Sequence, residues 1–269
     1  MLGRSLVSLC EAEGRTYRAF ERSEFDLERP DFDRLPLSEG DQLYNAAAYT
    51  AVDQAEAEPE RAHRVNAETP AQLAALCRER GASFAQVSTD YVFNGQSKQP
   101  YRPDSPRAPQ NAYGRSKAAG ERLVLEAYPE ALIVRTSWVF APWGKNFVIT
   151  MAELLRVRPE VQIVSDQVGC PTFAPDLARA LVSLVTLGKH GIWHFANGPS
   201  VSWFEFAEDI QRAQSSNARL VPVSTKEFPR PAPRPAYSVL DLEETVGTLG
   251  VPTDFRLHLP SCVISNAGG

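Results

Sequence analysis

The chain has 269 residues, 43% hydrophobic and 23% charged, with a formal charge of −5; that length and balance suit a globular fold with a sizeable core. The acidic balance argues against a nucleic-acid or anionic-membrane partner. There is no apolar run long enough to span a bilayer and no signal peptide at Met1. Cys10, Cys77, Cys170 and Cys262 are scattered singly, and His63, His190, His194 and His258 have no metal-ligand spacing. Reduced thiols in a cytoplasmic protein, structural histidines and no metal site are therefore expected.

In chain order, Leu2, Leu6, Leu9 and Cys10 fall on one face of an expected helix that Gly14 stops. A short strand is predicted over 16–23, with F-D-L following at 25–27, and a second strand over 41–50 that runs out into Ala46, Ala47 and Ala48. Such small residues at a strand end permit close approach of a flat ligand, or equally of a packed helix. Residues 59–80 read as helical, with Val65, Leu73, Leu76 and Cys77 inward and Gly81 as the stop; a strand at 83–93 follows. A loop with Pro100, Pro103, Pro106 and Pro109 leads to a helix that starts in N-A-Y-G-R-S-K, 111–117, and buries Leu123, Val124 and Ala127. The next strand is expected over 131–140.

Alternating strands and helices predict an α/β fold with a parallel, doubly wound sheet. After Pro142 the alternation loosens. A helix is expected near 147–156, an extended run over 161–173, a helix over 175–187, a strand over 191–197, and a helix capped by Ser202. The run P-R-P-A-P-R-P, 229–235, must be a loop or linker. Y-S-V-L-D at 237–241, one short helix and a disordered tail over 265–269 complete the expectation. The chain divides accordingly into a Rossmann-like unit over 1–140 and a smaller lobe over 141–269, interleaved with the last sheet strands and closing over the ligand.

Tyr113 and Lys117 share one helix face. A phenol with an ammonium one turn away is a minimal acid–base pair for a carbonyl or carbinol, although chance supplies this spacing with probability of about 0.15 in a chain of this composition. Three polar stretches, N-A-A-A-Y-T, S-T-D-Y-V-F and R-T-S-W-V-F, end successive expected parallel strands, the edge where such sheets bind ligands. Thr89 lies at that edge, where its hydroxyl can meet the Tyr113 phenol.

The stretches S-T-D-Y-V-F-N-G and P-Y-R-P-D-S-P-R-A-P-Q-N-A-Y-G-R-S-K resemble the active-site region of the extended short-chain dehydrogenases/reductases. With N-A-A-A-Y-T-A-V-D-Q-A-E, G-K-N-F, D-Q-V-G-C-P-T and R-P-A-Y-S-V-L-D, in the same order over nearly the whole chain, they are most similar to the dTDP-4-dehydrorhamnose reductase branch. The resemblance implies hydride transfer from NADPH or NADH to the C4 ketone of a dTDP-4-dehydro-L-rhamnose substrate, in a possible homodimer. It implies that Tyr113 donates the proton, that Lys117 lowers the phenol's pKa and holds the nicotinamide ribose, and that Thr89 bonds the keto oxygen or the phenol. Ala46, Ala47 and Tyr49 would line the cofactor, with Gly3 at its phosphates and Asp26 and Leu27 near the adenine. Asp90 and Trp138 would face the sugar, and Arg234 the diphosphate. Glu21 suits a free ribose hydroxyl and Arg22 a 2′-phosphate, which leaves NADPH and NADH both open.

The family begins with a strand and a G-x-x-G-x-x-G turn, of which Gly3 supplies the last glycine. The reading expects two strands to face each other across the place of that strand, and expects Met1 to be internal to a longer, active reductase. The alternatives are a non-catalytic regulatory homologue and an epimerase or ketoreductase for another dTDP-sugar. Some relatives hold magnesium at a dimer interface; Ser5 replaces the family's acidic residue, so that metal is not carried over.

Overall fold

The computed structural model describes residues 1–264, so the expectation for the tail over 265–269 lies outside the described residues. Four strands form one parallel sheet: β1 (Gln42–Asn45), β2 (Ser83–Thr89), β3 (Leu132–Thr136) and, after a gap in numbering filled by other elements, a strand at Gly191–His194, side by side in that order. Every residue of β3 is buried, as a central parallel strand covered on both faces must be. The register sets Thr89 beside Thr136 and Ile133 beside Ile192.

Helices cover both faces. On one side α1 (Leu2–Ala12) packs against a later helix at Ala174–Thr186 through Leu2, Leu6, Leu177 and Leu181, over Leu132 and Val134. On the other, α2 (Pro59–His63), a π-helical turn over 64–68 and α3 (Thr69–Arg80) make one continuous helical run that meets α4 (Ala112–Ala127). Leu73, Cys77 and Val124 close that face over Phe84 and Ile133.

The second half adds β4 (Val139–Phe140), α5 (Phe147–Val157), β5 (Glu160–Val164), β6 (Val168–Gly169), β7 (Thr172–Phe173), α6 (the helix at Ala174–Thr186), β8 (the sheet strand at Gly191–His194), β9 (Val201–Ser202), α7 (Trp203–Ala213) and β10 (Arg219–Val223). The extended run expected over 161–173 is thus broken into three strands, each with a different partner: β10, β9 and β4. Two helices, α8 (Glu243–Leu249) and α9 (Leu259–Ile264), stand where one was expected. Val148, Leu155, Phe206, Ile210 and Phe255 build a separate core among α5, α7 and the terminal segment.

One strand expectation fails. Residues 15–21 have no regular structure, and β1 is an outer strand of the sheet. A strand needs a neighbour for its amides and carbonyls; among the described residues no strand stands between this segment and β1, so alternation alone could not make it one. The proline-rich run is an irregular loop with neither helix nor strand, as its prolines dictate, but it is no free linker: Ala232 and Pro235 are buried, and the Asn111 side chain donates to the Pro233 carbonyl at 2.8 Å.

Candidate active site

The site forms where β2 ends against the start of α4. Thr89 closes β2, and its hydroxyl accepts the Tyr91 amide at 3.2 Å, turning the chain into one 3-10 turn. Asn111 caps α4, its side chain accepting the Gly114 amide at 2.7 Å, which is the expected work of an Asn just before a helix. Gly114 then decides how closely the two elements meet. A β-carbon built there would stand 2.3 Å from the Tyr91 carbonyl oxygen and 3.0 Å from Pro109 Cβ, so only glycine lets the β2 end reach the first turn of α4. That approach brings the end of β2 beside Tyr113, and the Tyr91 and Tyr113 rings meet edge to face at 5.6 Å.

Tyr113 is buried, and burial drives its pKa above the usual phenol value, with the negative charge of Asp90 adding to the rise and the Thr89 hydrogen bond opposing it. Lys117, one turn on, is 3% exposed and directs a proton to the Val87 carbonyl at 2.6 Å. Burial lowers its pKa to about 8, and the carboxylate of Glu121 counteracts that fall. With the Lys117 ammonium directed to the Val87 carbonyl, the influence that opposes the rise in the phenol's pKa in this arrangement is Thr89. Asp90 is buried, and burial pushes its carboxyl up to about 6 against the pull of the Ser238 and Thr89 hydroxyls. Its Oδ1 accepts from Thr89 Oγ1 at 2.9 Å, while Oδ2 is buried without a hydrogen bond of ordinary geometry. A polar atom left so is costly unless a ligand or solvent completes it.

The other expected residues fall in three places. Ala46 and Ala47 follow β1, and a β-carbon built on Gly3, in the first turn of α1, would stand 4.0 Å from Ala46 Cβ. Tyr49 is half-buried, its hydroxyl donating to Glu58 at 3.1 Å. Leu27 is part of the core and its carbonyl accepts from Thr69 at 2.7 Å; Asp26, partly exposed, accepts the Glu28 amide at 3.0 Å and faces Arg22 at 3.5 Å. Trp138 follows β3 with φ 47 and stacks on Trp203. Arg234 pairs with Asp53 at 2.9 Å and bonds the Ala232 carbonyl at 2.8 Å. That pair ties the proline-rich run to the stretch after β1.

Several supporting residues escaped the sequence reading. Asn66 donates to Ser116 Oγ at 2.9 Å and exchanges hydrogen bonds with the backbone of Tyr49 at 2.8 and 3.0 Å, joining the strand-β1 loop to the Tyr113–Lys117 helix. A lone Asn between Val65 and Ala67 on an inward face was the available signal. Glu121 accepts Ser88 at 2.5 Å, Arg135 at 2.8 and 2.7 Å and Arg107 at 2.5 Å. Burial pushes its pKa up, but these partners outweigh burial and hold it below the usual carboxylate value. Its place one turn after Lys117 could have marked it.

The donor set suits a nicotinamide dinucleotide. Lys117 brings a buried ammonium with three donors, small residues leave the end of β1 open, and no side chain caps α1, whose first turn has no acidic residue. Its amides and dipole are available to a phosphate. Among the described residues no group of three or more His, Cys, Asp or Glu could hold a metal ion, and no helix is long and apolar enough to cross a membrane.

Comparison with known proteins gives the family and the fold. The family model for the RmlD substrate binding domain matches residues 1–267. A dTDP-4-dehydrorhamnose reductase of Mycolicibacterium smegmatis is 41% identical over 100% of this chain and 84% of its own length. A crystal structure of a dTDP-4-dehydrorhamnose reductase from Clostridium acetobutylicum superposes with TM-score 0.92 at 33% identity, covering 98% of this chain and 95% of that one. A Bacillus anthracis dTDP-4-dehydrorhamnose reductase, solved in complex with NADP, gives TM-score 0.90 at 34% identity with the same coverage, 98% and 95%. On a family match over nearly its whole length and a relative of this identity, the chain belongs to the RmlD substrate binding domain family, that of the dTDP-4-dehydrorhamnose reductases.

Proposed function

We propose that the chain reduces the C4 ketone of dTDP-4-dehydro-L-rhamnose to the alcohol of dTDP-L-rhamnose, with NADPH as reductant and Thr89, Tyr113 and Lys117 as catalytic residues. The observation that carries this reading is the burial of Thr89, Tyr113 and Lys117 together where the carboxyl end of β2 meets the first turns of α4. NADPH, when bound, supplies the hydride. Tyr113 must supply the proton, and burial together with the charge of Asp90 keeps its phenol protonated at neutral pH, the form that reduction requires. As negative charge grows on the ketone oxygen, the phenol proton passes to it. Lys117, cationic below about 8 and one turn away, stabilises the phenolate that is left until solvent reprotonates it, and Thr89 can join it by turning its hydroxyl proton from Asp90 to the phenol oxygen.

Residues 1–140 hold the dinucleotide in this reading, with Ala46, Ala47, Tyr49, Asp26 and Leu27 around it and Gly3 at the phosphates. The lobe that begins at residue 141 forms the side that receives the dTDP-sugar; its Arg234, with Asp90 and Trp138 from the first unit, meets the sugar and diphosphate. The test is NADPH oxidation with dTDP-4-dehydrorhamnose by the wild-type chain and by Tyr113→Phe. Loss of a positioned proton donor lowers kcat by about 10²–10⁴-fold; a variant within a few fold of wild type would remove Tyr113 from the chemistry.

A further inference from the structure

Trp138 is a non-glycine residue with φ 47. An L residue there is strained unless its surroundings over-determine it. Three contacts do so. The Trp138 carbonyl accepts the Thr172 amide at 3.2 Å, which fixes the backbone. The indole stacks on that of Trp203 with ring centroids 3.5 Å apart and planes 10° from parallel, and Phe147 backs Trp203 at 4.5 Å. Gly169, finally, leaves the room: a β-carbon built there would stand 2.7 Å from Trp138 Cε2 and 2.9 Å from Nε1. Gly169 has no positive φ, so what limits a side chain at this position is space: a β-carbon there requires the Trp138 indole to shift.

The two contacts belong to one device. Gly169 pairs with Val201 and Val168 with Ser202 in the β6–β9 ladder, and Trp203 follows directly as the first residue of α7. A capping box fixes that helix start, Ser202 Oγ accepting the Glu205 amide at 3.1 Å and Glu205 accepting the Ser202 amide at 2.7 Å. The Trp203 amide reaches back to the Gln167 carbonyl at 3.3 Å. The glycine of D-Q-V-G-C-P-T and the tryptophan of α7 are thereby held at a set spacing around the Trp138 indole.

We propose that Gly169 and Trp203 are positioning residues for Trp138, the one by vacancy and the other by stacking, and that together they set how tightly the dTDP-sugar is held. The inference rests on the reading above that Trp138 touches the sugar nucleotide. Neither residue acts on the cofactor or on proton transfer, so their loss weakens sugar-nucleotide binding and leaves the KM for NADPH unchanged.

The test is a double-mutant cycle on the full chain. Binding of dTDP-L-rhamnose is measured by titration calorimetry, and KM for both substrates by NADPH oxidation, for Trp138→Ala, Gly169→Ala, Trp203→Leu and each of the latter two combined with Trp138→Ala. Gly169→Ala and Trp203→Leu each weaken dTDP-L-rhamnose binding about three- to ten-fold, the scale of one aromatic stacking contact. In the Trp138→Ala background neither has a further effect, because each acts only through the indole. Should Trp203→Leu fail to fold, Gly169→Ala carries the test alone. Single variants that lose thermal stability without losing affinity, or effects that persist in full without the indole, overturn the proposal while Trp138 keeps its role. If Trp138→Ala binds dTDP-L-rhamnose as wild type does, the reading of Trp138 itself fails, and the proposal with it.

Discussion

Replacing Gly114 by alanine tests how the site is assembled, because it adds one methyl group without touching any reacting atom. The new β-carbon would lie 2.3 Å from the Tyr91 carbonyl oxygen and 3.1 Å from its carbonyl carbon. An ordinary carbon–oxygen contact is about 3.3 Å or more, so the end of β2 and the start of α4 must separate by about 1 Å, against backbone rather than a yielding side chain. That displacement falls on the placement of Tyr113 beside the end of β2 that carries Thr89. A shift of about 1 Å in a reacting constellation lowers rate by about 100-fold, while overpacking at one site costs about 1–3 kcal/mol of stability. For a chain of this size that is a fall in Tm of a few degrees. The assay is steady-state NADPH oxidation with thermal melting alongside. Gly114→Ala is expected to remain folded, with kcat down about 100-fold and the KM for NADPH little changed. A variant with wild-type kcat would refute the claim that this glycine brings the two elements into register.

Lys117 gives a pH prediction with a defined sign. Its folded pKa of about 8 lies below the ordinary lysine value of 10.5, so between those values the unfolded chain binds more protons and stability rises with pH. The burden of the buried ammonium is fully present below about 8 and is relieved as pH climbs toward 10.5. Measured as the difference between wild type and Lys117→Met, which cancels the other titrating groups, stability should rise across that window; a flat difference would mean that the ammonium is not desolvated. Arg234→Gln is expected to raise the KM for the dTDP-sugar about ten-fold or more, the scale of a lost charged hydrogen bond, and to leave the KM for NADPH alone. Equal changes in both would make the Asp53–Arg234 pair a general fastening of the proline-rich run instead.

What the sequence made legible follows from periodicity and local chemistry. The helix from 112 and the strands expected over 83–93 and 131–140 emerge from apolar patterning, although the structure ends the first at Thr89 and interrupts the second after Thr136, and a parallel sheet places Thr89 at the ligand edge. What stayed hidden depends on contacts between distant segments. Residues 16–23 have the composition of a strand, yet a strand exists only through its neighbour, and composition does not carry that. Nothing local tells that Asn66 reaches Ser116, that Gly114 is small because Tyr91 stands over it, or that Gly169 is small because Trp138 does. The proline-rich run was legible as a loop and illegible as docked, since its hold comes from Asn111 and Asp53, far away in the chain. Family resemblance supplied the proposed site residues; packing explains the glycines between them.

The central claim is hydride transfer to a dTDP-sugar with Tyr113 as proton donor, and the fate of a deuterium label tests it most directly. With NADPH deuterated on the transferring face of its nicotinamide and dTDP-4-dehydrorhamnose as substrate, the account predicts dTDP-L-rhamnose carrying one deuterium, on C4, formed by the wild-type chain and far more slowly by Tyr113→Phe. NADPH oxidation that leaves no deuterium on the sugar, or label transfer at equal rates by both proteins, would contradict it.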